Sequence, residues 1–318
     1  MVAATEGQRE PGKGRVKLPL RVRLKAWWEG HELEVRTKAR PGTGKQAAPE
    51  QEPDFERWSE PHIEFLQSVW GEGFVTPGGE THLLKLVKPF GLNPAMSVLD
   101  IGAGLGGAAR VMAKTFGVWV SGLERQAALA KLGQGLSVKA GLEKKAPIAH
   151  FDPETFDGNA KSYDCIFAKE SFFAFKQKDR LMKTIEKLLK DTGHVLFTDF
   201  MLAEPGLNTP AIETWKANEP EPPAPWAMEQ YVEALTDCRL DVRISEDITA
   251  DFQRAVTEGW AARLGNLGGG EVDKRLAPLL VEEVELWTRR IKALESGDLR
   301  VCRIYAIRKG VGRLMSDW

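Results

Sequence analysis

The residues best suited to chemistry form one run, Val98-Leu99-Asp100-Ile101-Gly102-Ala103-Gly104-Leu105-Gly106-Gly107. An apolar stretch reads as a strand that passes directly into a glycine cluster, and the residues after it read as a helix. Glycine at such a turn permits positive φ and lets a ligand approach the backbone, while the helix N-terminus offers free amides. Dinucleotide-binding loops share this layout, so the loop alone does not discriminate. The acid does. Asp100 lies in the strand before the glycines, where its negative charge would repel a pyrophosphate. A sulfonium carrying an amino-acid tail has no phosphate and is positively charged, so an acid at this place suits it.

Two more acids extend the site. Glu124 ends the following strand, placed to accept both ribose hydroxyls of an adenosine. His150-Phe151-Asp152 follows the third strand, and Asp152 is placed to accept an adenine amino group. Ala103 and Arg125, beside the loop and beside Glu124, complete the expected contacts around the nucleoside.

The elements that must position these residues alternate between helix and strand from residue 55 onward, the pattern of a mostly parallel sheet covered on both faces. Strands are expected at 97–101, 118–124, 147–151, 163–168, 194–200, 240–245 and 301–308, with helices at 108–116, 127–136, 178–190, 247–264 and 271–294. Asp191-Thr192-Gly193 is expected to turn helix 178–190 into the fifth strand. The fold class is α/β: a doubly wound, Rossmann-like, seven-stranded, mostly parallel sheet with a helical cap and a basic N-terminal extension. The expected domains are an extension at 1–54, a main domain at 55–310 with segments 201–226 and 247–296 as the cap, and a tail at 311–318.

With its acid-x-Gly-x-Gly loop formed by Asp100, Gly102 and Gly104, the sequence resembles the class I S-adenosylmethionine-dependent methyltransferases. Within them it is most similar to the phosphoethanolamine and related small-amine N-methyltransferases, over roughly residues 62–309. The run Val69-Trp70-Gly71-Glu72-Gly73-Phe74-Val75-Thr76-Pro77-Gly78-Gly79 is similar to their Gly-x-Gly-Phe-Val-Ser-x-Gly-Gly lid, which implies that Gly78 and Gly79 cover the cofactor. Cys165-Ile166-Phe167-Ala168-Lys169-Glu170-Ser171 resembles their substrate-facing strand end. Residues 193–200, with Asp199 near the end, match the usual fifth strand, and Asp247, Thr249 and Phe252 repeat an Asp-x-Thr-x-x-Phe arrangement. The resemblance implies S-adenosyl-L-methionine as cofactor and methyl transfer to a small molecule, with nitrogen favoured over sulfur, oxygen or carbon. It also exposes two departures: the tyrosine and histidine that act near the amine in that group fall at Leu66 and Ala174.

Methyl transfer from a sulfonium is an in-line displacement in which a neutral amine or thiolate needs alignment and desolvation more than a base. A phenol or alcohol would need one. The candidates are Glu170, at the carboxyl end of the fourth strand, and His82, just past the lid glycines; a salt-bridged Glu170 and a helix-terminal His82 are the structural alternatives. Phe172, Phe173 and Phe175 follow Glu170 and read mainly as core, although aromatic faces beside a cleft also hold methylammonium groups. The proline-rich segment 202–226, around Trp215, reads as a roof over the substrate, with Trp260 and Trp287 on later helices serving the cap or the core.

Composition sets the outer limits. With 42% hydrophobic and 28% charged residues the chain is of globular type, and no apolar run approaches the length of a bilayer span. The N-terminus lacks the order of a secretory signal, so a cytoplasmic location is expected. Three scattered cysteines without a Cys-x-x-Cys pair, together with five histidines, give no metal site. Residues 1–45 hold eleven Lys or Arg against five Asp or Glu, which leaves the remainder acidic. Trp27-Trp28 on this basic arm suits peripheral contact with an anionic membrane or another phosphate-bearing partner, although packing on its own domain is the plainer reading. The acidic remainder and Ala168-Lys169-Glu170-Ser171, in place of a base-flipping motif, speak against nucleic acid as partner. A non-catalytic S-adenosylmethionine-binding protein is the alternative that the missing tyrosine and histidine leave open.

Overall fold

The computed structural model describes residues 57–266 and 277–309. The chain divides after Asp54 into two compact units, the first of which lies wholly outside the described residues, together with the basic arm and Trp27-Trp28. The tail at 311–318 lies outside them as well.

The second unit is built on a seven-stranded sheet of order β3-β2-β1-β4-β5-β7-β6. Its strands are β1 Ser97–Ile101, β2 Trp119–Glu124, β3 Ile148–His150, β4 Tyr163–Lys169, β5 Leu189–Leu202, β6 Leu240–Asp247 and β7 Leu299–Arg308. All neighbours from β3 to β5 are parallel, and β7 runs antiparallel between β5 and β6. The helices are α1 Glu60–Trp70, α2 Gly79–Leu86, α3 Gly107–Phe116, α4 Ala127–Lys139, α5 Lys178–Leu188, α6 Pro210–Asn218, α7 Met228–Asp237, α8 Thr249–Asn266 and α9 Ala277–Glu295.

Alternation along β1 shows how the sequence sets the layers, because successive side chains of a strand point to opposite faces. Val98 joins a cluster with Leu83, Ala109 and Met112 of α2 and α3, whereas Leu99 and Ile101 join one with Met182, Ile185 and Tyr231 of α5 and α7. Both faces are covered, so the strands read as continuous apolar runs.

Several boundaries shift from the sequence expectation. The turn expected at Asp191-Thr192-Gly193 lies within β5, because Leu189 already pairs with Tyr163 and the register slips before His194 meets Cys165. The ladder continues across the irregularity, and the chain needs no separate turn. Segment 202–226, expected as loop, contains α6, whose Thr209 side chain caps Ile212 N and whose Pro210 occupies the first helical position. Trp215 is therefore a buried helical residue. Asp247 ends β6 and accepts a hydrogen bond from Thr249 N at 2.8 Å, so the helix expected from 247 begins two residues later. Of the helix expected at 271–294, residues 271–276 lie outside the described part. None of the described helices is long and apolar enough to cross a membrane.

The sheet order reverses between β1 and β4, and ligands of open α/β sheets bind outside the carboxyl ends of the strands at such a point. The ends of β1, β2 and β4 bring Asp100, Glu124 and Lys169 to one edge of the sheet.

Candidate functional site

A cavity enclosing about 1160 Å³ of empty space, its mouth included, opens at this edge. The glycine loop forms its floor. Gly102 has φ +83°, and a Cβ there would stand 2.4 Å from Ser171 Cβ, so no other residue fits without displacing the β4 end. Gly102 N and Ala103 N donate to Leu123 O at 2.8 and 3.0 Å, which ties the loop to β2. Gly107 N donates to Gly73 O at 3.1 Å, and a Cβ on Gly107 would lie 2.5 Å from that oxygen, so the upstream segment can lie directly on the loop.

Glu124 braces the loop from the next strand. Its Oε2 accepts from Gly104 N and its Oε1 from Gln126 N, both at 2.8 Å. Burial nevertheless holds this carboxyl above its usual range, against the two amides and the Arg125 guanidinium. Asp100 is more exposed to that cost. It is 1% accessible, its Oδ2 has no partner among the described residues, and its pKa is pushed up to about 7, first by burial and then by the Glu124 charge, with Lys169 opposing. A buried carboxylate with an unused oxygen facing a cavity is costly unless a donor or cation arrives from outside.

The end of β4 forms a side wall. Glu170 has φ +43°, and its amide donates to Thr198 O at 2.7 Å. Its carboxylate is occupied on both oxygens: Oε1 accepts from Thr198 Oγ1 at 2.7 Å and Oε2 from Lys169 Nζ at 2.6 Å. Lys169 Nζ also donates to Thr76 Oγ1 at 2.9 Å and Pro77 O at 2.8 Å, fastening the upstream segment to the wall. Glu170 thus lines the cavity as a held residue, through the pair with Lys169.

The roof comes from the proline-rich segment. Glu219 accepts from Trp215 Nε1 at 2.6 Å and from Arg290 Nε and Nη2 at 2.8 and 2.7 Å, so α9 is chelated to the end of α6. Arg290 also stacks over Trp287, its guanidinium 4.7 Å from the ring. Two residues on, Glu221 meets the Arg125 guanidinium and the Gln126 side-chain amide, closing the roof onto the β2 end. Beneath it, Lys178 Nζ donates to Phe175 O at 2.6 Å and to Ala224 O, and Ala224 N donates to Phe173 O at 2.7 Å.

The other expected residues fall in different places. Gly78, Gly79 and His82 border a separate cavity with Asp251 and Arg254 of α8, because Gly78 at φ +105° starts α2 and packs on the His82 ring. Burial, with the Lys169 charge, holds His82 below its usual range. Asp152 lies in a recess that adjoins the main cavity through Arg125 and Glu221, and its carboxylate caps its own turn at Glu154 N and Thr155 Oγ1. Leu66 is a core residue of α1, 2% exposed; the aromatic side chain that this region brings to the cavity is Trp58. Ala174 does line it. Phe172 and Phe175 are buried, Phe175 also lining the cavity, and Phe173 lines it while packing on Phe200 and Trp215.

Sequence reasoning did not single out Arg57, Trp58, Lys169, Arg290, Glu219 or Glu221, all of which line the cavity. Arg57 is held by Glu283, which also accepts from His62 Nε2 at 3.0 Å. Although burial works to raise it, the His62 hydrogen bond and the Arg57 guanidinium keep the Glu283 carboxyl below its usual range. Among the described residues no group of His, Cys, Asp and Glu is arranged to hold a metal.

A family model described as "Methyltransferase domain" matches residues 79–230. The match takes in the glycine loop, Glu124 and the end of β4. Over 190 residues it is 26% identical to phosphoethanolamine N-methyltransferase 1 of Arabidopsis thaliana, covering 60% of this chain and 38% of the relative. Over 147 residues it is 31% identical to phosphoethanolamine N-methyltransferase 2 of Caenorhabditis elegans, covering 46% and 33%. The chain therefore spans well under half the length of these relatives. In fold the chain is similar to phosphoethanolamine N-methyltransferase 2 of Haemonchus contortus, solved with S-adenosyl-L-methionine. That likeness has a TM-score of 0.71 at 20% identity, over 80% of this chain and 58% of the other.

Proposed function

We propose that the domain transfers a methyl group from S-adenosyl-L-methionine to a small-molecule amine by in-line displacement. The observation that carries this reading is the buried, unpartnered Asp100 Oδ2 at the floor of the cavity, beside a glycine loop and a second acid. Two carboxylates in a dry floor suit a positively charged nucleoside and oppose a diphosphate. The residues lining the cavity fit such a group: Asp100 would face its ammonium or sulfonium end and Glu124 its ribose hydroxyls, while the adenine would reach toward the adjoining recess at Asp152. The amides and open backbone of Gly102, Ala103 and Gly104 leave room along its length.

When bound, S-adenosyl-L-methionine supplies an activated methyl group on sulfur. The chain supplies position and dryness. Lys169 locks Thr76 and Pro77 onto the β4 end, Glu221 closes the roof on Arg125, and the Glu219–Arg290 pair fixes the far wall, so the acceptor is held in one orientation away from water. Glu170, committed to Lys169 and Thr198, acts as a positioning residue, and the acceptor nitrogen must arrive with its lone pair free. The proton left on it after transfer passes to solvent at the mouth.

Isothermal titration with S-adenosylhomocysteine and, separately, NADH tests this on the full chain, on Asp100→Ala and on Glu124→Ala. Micromolar binding of S-adenosylhomocysteine that both substitutions weaken is expected. Binding of NADH alone would overturn the reading.

A further inference from the structure

The charges around the substrate end of the cavity limit what the acceptor can be. Among the described residues four basic side chains line it, Arg57, Arg125, Lys169 and Arg290, and each is already ion-paired. Arg57 Nη1 lies 3.0 Å from Glu283 Oε1, Lys169 Nζ 2.6 Å from Glu170 Oε2, and Arg290 Nη2 2.7 Å from Glu219 Oε2, while Arg125 meets Glu221. The Glu283, Glu170 and Glu219 side chains are only 1%, 3% and 2% exposed. These three pairs cannot open to receive another anion without stranding a buried carboxylate, an expensive exchange. Asp100 and Glu124, by contrast, have no ion-pair partner among the described residues. A phosphate or carboxylate on the acceptor would therefore lie beside the paired Glu170 and Glu219 carboxylates with every lining cation among the described residues engaged. The surface left between the pairs is aromatic and aliphatic: Trp58, Phe173, Phe74 and Val75.

We infer that the acceptor is an amine on an uncharged, ring-sized apolar body that carries neither phosphate nor carboxylate. Trp58 and Phe173 clasp the body, and the ion pairs serve as neutral, rigid walls. This specificity rests on the methyl-transfer reading and differs from the substrate in the names of the relatives.

The test uses the full chain saturated with S-adenosylhomocysteine and titrated calorimetrically with phenylethylamine and with phosphoethanolamine. Phenylethylamine is expected to bind at least about tenfold more tightly, since like-charge juxtaposition is strongly unfavourable in a dry site. Equal affinity, or a preference for phosphoethanolamine, overturns the inference. Absence of S-adenosylhomocysteine binding in the first step would instead sink the methyl-transfer reading. Two variants sharpen the result. Glu219→Gln keeps the shape of the Arg290 contact but removes its charge, and should move the preference toward phosphoethanolamine. Trp58→Ala should weaken phenylethylamine binding and leave that of phosphoethanolamine unchanged. The comparison of the two amines on wild-type protein stands even where a variant fails to fold, as thermal melting would reveal.

Discussion

Replacing Asp100 by asparagine should make the ligand-free protein more stable and its cofactor binding weaker. The folded-state pKa of Asp100 is raised from 3.8 to about 7 because the carboxylate is buried without a full set of partners. A carboxyl shifted in this direction contributes stability that is fully present below about 3.8 and is lost as pH rises through about 7. At about 1.4 kcal/mol per unit, the loss by pH 8 is on the order of 4 kcal/mol. Asparagine is nearly isosteric and never ionises, but its own unpaired amide costs about 1–3 kcal/mol, so a net gain of about 2 kcal/mol remains. For a domain of this size that raises Tm by roughly 5 °C. At about pH 5 the wild-type group is protonated and the advantage disappears. Affinity should move the other way, because a charge-assisted contact worth about 1.5–3 kcal/mol is removed, which is roughly a ten- to hundredfold loss for S-adenosylhomocysteine. Scanning calorimetry at both pH values and isothermal titration at the higher one give the two readouts. An asparagine variant that melts below wild type at the higher pH, or that binds S-adenosylhomocysteine as well, would refute the assignment of Asp100 as a ligand-facing, electrostatically strained group.

Three further outcomes follow from the geometry. Glu221→Gln removes the charge that fastens the roof to Arg125, and stopped-flow displacement should show S-adenosylhomocysteine leaving a few-fold faster; in wild type the same rate should rise with salt, since this pair is partly exposed. Glu283→Ala leaves Arg57 and His62 without their shared partner, and chemical denaturation should register a loss of about 3–5 kcal/mol. Gly102→Ala meets Ser171 at 2.4 Å from a backbone at positive φ, and should cost about 2 kcal/mol or more in stability together with cofactor binding, measured by melting and titration.

The floor of the cavity was legible because its signals are local. Asp100 through Gly107 occupy consecutive positions, and Glu124 ends the next strand, so period-two alternation and a turn suffice to place them. The substrate end was not legible in the same way. Arg57 precedes α1 while its partner Glu283 lies on α9, and Arg290 reaches Glu219 across 71 positions of chain. No periodicity in sequence encodes such pairs; they exist only once the cap is packed. The lid glycines mislead for a related reason, since Gly78 and Gly79 fit a motif whose contact depends on which way α2 leaves the turn. Trp58 lies in the turn before α1 and reaches the cavity, whereas Leu66 lies inside α1 and is buried, a difference that depends on how α1 packs.

The position of β7 has a consequence for how the domain is made. This strand follows all the others in the chain, yet it lies between β5 and β6 and hydrogen-bonds to both. While the chain grows on the ribosome, β5 presents an unpaired edge and β6 has no neighbour in the sheet until residues 299–308 emerge. The cavity floor on β1, β2 and β4 can assemble early, but the wall made with α9 waits for the last strand to insert. Synthesis that stalls before β7 would release a chain with a sticky strand edge, a species for chaperones or proteases to intercept.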